Sequence, residues 1–218
     1  MSTCERCGEP SHLMVAGICP RCQPPVLGAD HWVETVSGNK VSLSHPDPAT
    51  IDLDDIAHGL ARQARFNGHT PGDPYSVARH SLWVCRYFLP EAPRMALLGL
   101  LHDAHEAYLG DIVRPVAHAE PELHRAFKRL KGRLQTAIYA ALRVDPPHGD
   151  EAIAIRDVDN QALACEARAF MVSRGEDWNL PVTVIMPRAE QVPICPQSWV
   201  ADKCQFLHQY EVLQGAGV

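Results

Sequence analysis

The stretch LLGLLHDAHEAYLGD, residues 97–111, decides how the rest of the chain is read. Its first half is a leucine run broken by one glycine, the pattern of a helix buried on every side. Its second half carries His102, Asp103, Glu106 and Asp111. Helical spacing places Glu106 one turn beyond His102 and Asp103, on the side both share. Gly110 marks the helix end, and Asp111 follows where the chain leaves it. An apolar helix has no packing reason to end in an imidazole and three carboxylates, because each charge taken from water must be repaid by a partner. An adjacent His-Asp pair is common by chance and, taken alone, is a surface ion pair. Its meaning rests on partners elsewhere in the chain.

Two partners stand out. In YSVARHSLWVCRYFL, residues 75–89, His80 has Ser76, Val77, Trp83 and Val84 one turn away. It therefore faces an apolar side, while Arg79, Ser81 and Arg86 are expected to stay solvated. A single such histidine is as a rule a hydrogen-bonded core residue. In AIAIRDVDNQALACEARAF, residues 152–170, Asp159 shares a stripe with Ile155, Ala162, Leu163 and Phe170, whereas Asp157 shares a polar face with Asn160 and Gln161. A buried carboxylate without a cation is expensive, which selects Asp159 over Asp157 as a metal ligand. His80, His102, Asp103 and Asp159 together offer two imidazoles and two carboxylates from three helices. That set suits one catalytic divalent metal: Co, Mn, Ni, Fe, Zn or Mg. Four protein ligands on an octahedral ion leave positions for water and a phosphate oxygen, with the metal as Lewis acid. Glu106, not needed as a ligand, is placed to orient or deprotonate that water. Arg62 and Arg65 end the preceding helix, and a guanidinium there suits a phosphate clamp. Arg62 is expected to be solvated instead.

The whole chain has 218 residues, 46% hydrophobic and 21% charged, which excludes intrinsic disorder as the main state. Lys+Arg 20 against Asp+Glu 26 gives a net charge of −6, which excludes a broad basic surface for duplex nucleic acid. No run approaches the roughly 18 apolar residues of a membrane span. MSTCERCGEP lacks the basic and apolar runs of a secretory signal, so a cytoplasmic location is expected. Cys4, Cys7, Cys19 and Cys22 form C-x2-C, an 11-residue gap and C-x2-C, which suits one structural Zn held by four thiolates. Such a ribbon, residues 1–25, folds through its metal. Its strong bases, Arg6 and Arg21, face Glu5 and Glu9, a poor nucleic-acid footprint. Cys85, Cys165, Cys195 and Cys204 are expected as buried packing residues. Residues 26–50 read as a linker and a β-hairpin turning at SGNK. Over 51–218, helices are expected at about 52–65, 75–89, 93–110, 121–142, 150–173 and 198–213, with 175–198 extended. The fold class is mainly α.

The order H…HD…D on a helical body resembles the HD-domain metal phosphohydrolases. The segments DIAHGLARQARFNGHT, YSVARHS, LLHDAHEAYLGDI and RDVDNQAL are similar to the bacterial 5′-deoxynucleotidase branch, and still more to its phage dATP triphosphohydrolases. The likeness covers roughly residues 32–173 and leaves out the ribbon. It implies an HD-domain helical bundle with a short β-hairpin lead-in, acting on a deoxynucleotide in the cytoplasm (the host's, if phage-encoded). It implies His80, His102, Asp103 and Asp159 as metal ligands, Glu106 as catalytic acid or base and Asp111 as a second essential carboxylate. It also implies Arg65 as the phosphate-binding arginine, with Phe66, Asn67 and Gly68 near base or sugar. Dephosphorylation of dNMPs is the alternative activity, and such relatives are homo-oligomers. A zinc-ribbon binding module on a degenerate scaffold is the alternative of another class, and cyclic nucleotides or guanosine polyphosphates are alternative substrates. In one departure, relatives follow the GDI segment with a proline-rich stretch ending in lysine, whereas this chain has Val113-Arg114-Pro115-Val116-Ala117. Arg114 or Lys128 is expected to substitute.

Overall fold

The computed structural model describes residues 2–12, 19, 31–180, 182, 186–192 and 194–217. Contacts divide the chain into two units, Met1–His31 and Trp32–Val218. In the first, β1 (Ser2–Thr3) pairs antiparallel with β2 (Pro10–Ser11). Between them the chain turns tightly: the Gly8 N–H donates to the Cys4 carbonyl and the Cys4 N–H to the Glu9 carbonyl, both at 2.9 Å. Gly8 takes φ +74, a left-handed conformation that glycine adopts without a Cβ clash.

The second unit opens with the expected hairpin, β3 (Trp32–Glu34) antiparallel to β4 (Lys40–Ser42). Its turn is tied down by Asp55, which accepts from the Ser37 N–H at 3.1 Å and the Ser37 hydroxyl at 2.6 Å. Helices dominate the rest of the described residues. Capping residues set several boundaries. Asp52 accepts from the Asp54 and Asp55 N–H groups and opens α1 (Leu53–Arg62). Ser76 accepts from the Arg79 N–H and opens α2 (Val77–Phe88). Pro93 starts α3 (Pro93–Leu101) from the first-turn position, where a missing N–H costs nothing. Short helices α4 (Glu106–Leu109) and α5 (Arg114–His118) lead to the long α6 (Pro121–Leu142) and α7 (Gly149–Phe170). After α8 (Pro187–Gln191), Ser198 caps α9 (Trp199–Gly215). The expected extended stretch over 175–198 thus holds a short helix.

Two apolar clusters lie on opposite sides of α2. Ile56, Leu60, Leu82, Leu98, Leu101, Leu134, Ile138 and Phe206 belong to the larger. Trp83, Val84, Val158, Ala162, Cys165 and Val192 belong to the smaller. Every residue of α2 from Val77 to Cys85 is consequently buried. This overturns the expectation that Arg79 and Ser81 are solvated. Arg79 is 2% exposed and forms a salt bridge with Asp202 of α9, itself 1% exposed. The Ser76 hydroxyl donates to the same carboxylate at 2.5 Å. A single polar residue facing inward from each helix repays the other's desolvation, which an apolar-stripe rule on one helix misses. Cys85 and Cys165 are buried as expected, but Cys195 and Cys204 are exposed.

Candidate metal centres

Helices α2 and α7 and the end of α3 bring four side chains to one point. One nitrogen or oxygen from each of His80, His102, Asp103 and Asp159 lies within 4.8 Å of all the others. His80 Nε2 is 3.3 Å from His102 Nε2 and 3.1 Å from Asp159 Oδ1. Asp103 Oδ2 is 3.1 Å from His102 Nε2 and 3.7 Å from His80 Nε2. Asp157, by contrast, is exposed beside Arg156.

Both histidines turn Nδ1 away from this point and toward an acceptor. His80 Nδ1 donates to Glu166 Oε1 at 2.7 Å, and His102 Nδ1 donates to the Gly99 carbonyl at 2.7 Å. A proton held on Nδ1 leaves Nε2 as the ligating atom, which is how outer partners orient metal-binding imidazoles. Two imidazoles and two carboxylates fit a divalent cation in charge and in donor type. Without that cation the groups titrate against one another. Burial and Arg65 oppose protonation of His80, yet Glu166 and Asp159 hold it up to about 9. Asp103 and Asp159 sit well below the ordinary carboxylate range: burial opposes this, and His102 and Lys131 for Asp103, or His80 for Asp159, outweigh it. A metal held by these four residues would take the place of the His80 Nε2 proton.

Helix α3 does not run through the HD segment as expected. It stops at Leu101, and residues 102–105 wind as tight turns, with the Glu106 N–H bonded to the Asp103 carbonyl at 2.9 Å. In three-residue winding, positions i and i+3 eclipse. That brings carboxylate oxygens of Asp103 and Glu106 within 4.8 Å of each other, with a His105 nitrogen in the same group. Burial and the charges of Asp103 and Asp111 push the Glu106 carboxyl well above its ordinary value. Burial likewise raises Asp111, against Arg65. His105 is held neutral, its pKa lowered to about 3 by burial and by Lys131.

Arg65 is buried, its Nε donating to Glu166 Oε2 at 2.8 Å. Glu166 therefore joins Arg65 to His80 through its two oxygens. Arg62 is exposed, with its guanidinium over the Trp199 ring. Phe66 and Asn67 both take positive φ, 58 and 51, ahead of Gly68 at φ +74. Left-handed non-glycine residues cost on the order of 1–2 kcal/mol each, strain that gathers where a site needs it. The Phe66 ring lies 5.9 Å from that of Trp178.

Three positioning residues went unseen in the sequence. Glu166 follows Asp159 by seven residues, two turns along the same face, so the buried-carboxylate rule applied to Asp159 also reaches it. Gln63 donates to the Glu106 carbonyl at 2.6 Å and accepts from the Asp111 N–H at 2.9 Å, fastening both ends of α4. Gln135 donates to the Leu101 carbonyl at 2.7 Å and accepts from His105 Nδ1 at 3.1 Å. No local pattern marks either glutamine, since their partners lie dozens of residues away. Of the two expected substitutes for the missing lysine, Arg114 reaches the site and Lys128 does not. Lys128 is exposed, and Lys131, one turn on, is the residue whose Nζ lies 3.5 Å from Asp103 Oδ1.

In the N-terminal unit, Cys4, Cys7 and Cys19 have sulfurs within 4.8 Å of one another. The Cys4 sulfur accepts from the Cys19 N–H at 3.3 Å, and backbone N–H groups of Cys19 and Cys7 hold the Cys4 thiol down at about 6. Thiolate is the form that binds Zn. The fourth expected ligand, Cys22, lies outside the described residues.

No family model matches the chain. An uncharacterized protein of Rhodobacter capsulatus is 43% identical over 113 residues, 50% of this chain and 56% of that protein. The match thus spans little more than half of that relative's length. The uncharacterized Escherichia coli protein YfdR is 28% identical over 165 residues, 76% of this chain and 85% of that protein. No helix among the described residues is long and apolar enough to cross a membrane.

Proposed function

We propose that this chain is a metal-dependent, HD-type phosphohydrolase of deoxynucleotides, with dNTPs, dATP first, as substrate. The observation that carries the reading is the convergence of His80 Nε2, His102 Nε2, Asp103 and Asp159 on one point, with Glu106 beside it. A divalent metal held there supplies charge against the phosphate and acidifies water. In the reaction a water oxygen bonds to the α-phosphorus, the bond from phosphorus to O5′ breaks, and one proton passes to O5′. The products are deoxynucleoside and tripolyphosphate. Glu106, buried and three residues from Asp103, takes the proton from water and returns it toward the leaving oxygen. Arg65, anchored by Glu166, sets positive charge against the phosphoryl oxygens. Gln63 keeps Glu106 and Asp111 in place through their backbone. The strained Phe66-Asn67-Gly68 turn borders the base or sugar.

Separate losses in two variants test these roles. Asp103→Ala is expected to lose both metal and dATP hydrolysis. Glu106→Ala is expected to keep one equivalent of metal and lose turnover by on the order of 10²–10⁴-fold, the range for a general acid or base. Full turnover in Glu106→Ala removes Glu106 from the mechanism.

A further inference from the structure

Each ligand carboxylate has two oxygens, and the structure uses them differently. Asp159 Oδ1 faces His80 and His102, while its Oδ2 meets Arg114 Nη2 at 3.1 Å. Asp103 Oδ2 faces the same histidines, while its Oδ1 meets Lys131 Nζ at 3.5 Å. Two cations therefore stand one carboxylate away from the metal point. Both side chains are nearly half exposed, 45% for Arg114 and 44% for Lys131, unlike the buried Arg65. Arg114 Nη2 also donates to Asn160 Oδ1 at 2.8 Å, which fixes the guanidinium plane. Among the described residues the guanidinium makes no further hydrogen bond, and Lys131 has Asp103 as its ion-pair partner. Were these residues there only to neutralise carboxylates, a bound metal would make them redundant. The metal takes up that negative charge, and two cations with unspent donors are left facing solvent.

We infer that Arg114 and Lys131 form a rim that binds the phosphate chain beyond the phosphoryl group under attack, so that the site prefers triphosphates to monophosphates. This rests on the phosphohydrolase reading above and specifies its substrate. Arg65 and the metal would serve the α-phosphate from the buried side. Arg114 and Lys131 would serve the β- and γ-phosphates from the open side, one through the Nη1 and Nε donors that Asp159 and Asn160 leave unspent and the other as a mobile point charge. A monophosphate is too short to engage that rim.

The test is binding of inorganic tripolyphosphate and orthophosphate to the full, Co²⁺-loaded protein by titration calorimetry, with metal content checked after each run. Tripolyphosphate is expected to bind the native protein more tightly than orthophosphate. Arg114→Gln and Lys131→Gln are each expected to weaken tripolyphosphate about tenfold, and the pair about a hundredfold, with orthophosphate changed less than threefold. Arg114→Lys and Lys131→Arg, which keep the charge, are expected to retain most of the affinity, as is the surface control Lys128→Gln. Equal weakening of both anions, or no weakening of either in folded double variant, overturns the proposal. Because binding needs no turnover, the outcome is read separately from hydrolysis. Tight, rim-dependent tripolyphosphate binding without hydrolysis of any dNTP would sink the enzymatic reading and leave the rim standing.

Discussion

Replacing Glu166 by glutamine is the sharpest perturbation of the proposed metal centre that leaves its four candidate ligands untouched. Glu166 is completely buried, accepting from Arg65 Nε at 2.8 Å through one oxygen and from His80 Nδ1 at 2.7 Å through the other. Both neighbours donate, and glutamine has only one acceptor to offer them. If its oxygen faces Arg65, its NH₂ faces His80 and forces the imidazole proton onto Nε2, the atom proposed to ligate. If it faces His80, the NH₂ opposes the Arg65 N–H and leaves a buried guanidinium without its carboxylate. Breaking a buried ion pair on one side costs about 3–5 kcal/mol. At about 2–4 °C per kcal/mol for a chain of this size, the melting temperature is expected to fall by roughly 6–20 °C. Loss of the partner that orients a metal-binding histidine costs about 10–100-fold in metal affinity. Calorimetric titration with Co²⁺ and a thermal melt read the two effects on the same sample. Metal affinity within threefold of native, together with an unchanged melting temperature, would refute the tautomer argument.

Asp202→Ala strands the buried Arg79 and is expected to cost about 3–5 kcal/mol by urea unfolding, whereas replacing both by apolar residues of similar volume should restore most of the loss. His105 titrates at about 3 when folded and near its ordinary value when unfolded, so the unfolded chain takes up a proton that the folded chain refuses. Stability from this residue is therefore present above about pH 6.5 and lost as pH falls toward 3, at up to about 1.4 kcal/mol per pH unit. His105→Gln should show a flatter acid limb than the native protein in unfolding curves measured across that window. In the N-terminal unit, Cys4→Ser is expected to release Zn, read by metal analysis, while Co²⁺ binding at His80 and His102 persists.

Much of the helical body was legible because its signals are local. Caps such as Asp52 and Ser198 and prolines such as Pro93 and Pro121 act within one turn, and α6 falls where its amphipathic pattern put it. The choice of Asp159 over Asp157 was also legible, since one helical face settles it. What escaped were features set by contacts between distant helices. Arg79 looked like a surface residue because nothing near it in the chain announces Asp202. The end of α3 at Leu101 was hidden for a different reason: HDAHEAYL has good helix formers, and the tight winding is imposed by Gln63, Gln135 and the Gly99–His102 bond. Lys131 rather than Lys128 reaches Asp103 because a shift of three residues on a long helix is decided by where α6 packs.

Product analysis decides whether this chain hydrolyses deoxynucleoside triphosphates. Purified, Co²⁺-loaded protein is incubated with each dNTP and each dNMP, and the products are separated by chromatography. Deoxynucleoside and tripolyphosphate in equal amounts are expected from dATP, with Asp103→Ala inert. Orthophosphate released from dNMPs alone would contradict the triphosphate assignment, and no turnover of any nucleotide with metal bound would contradict the phosphohydrolase itself.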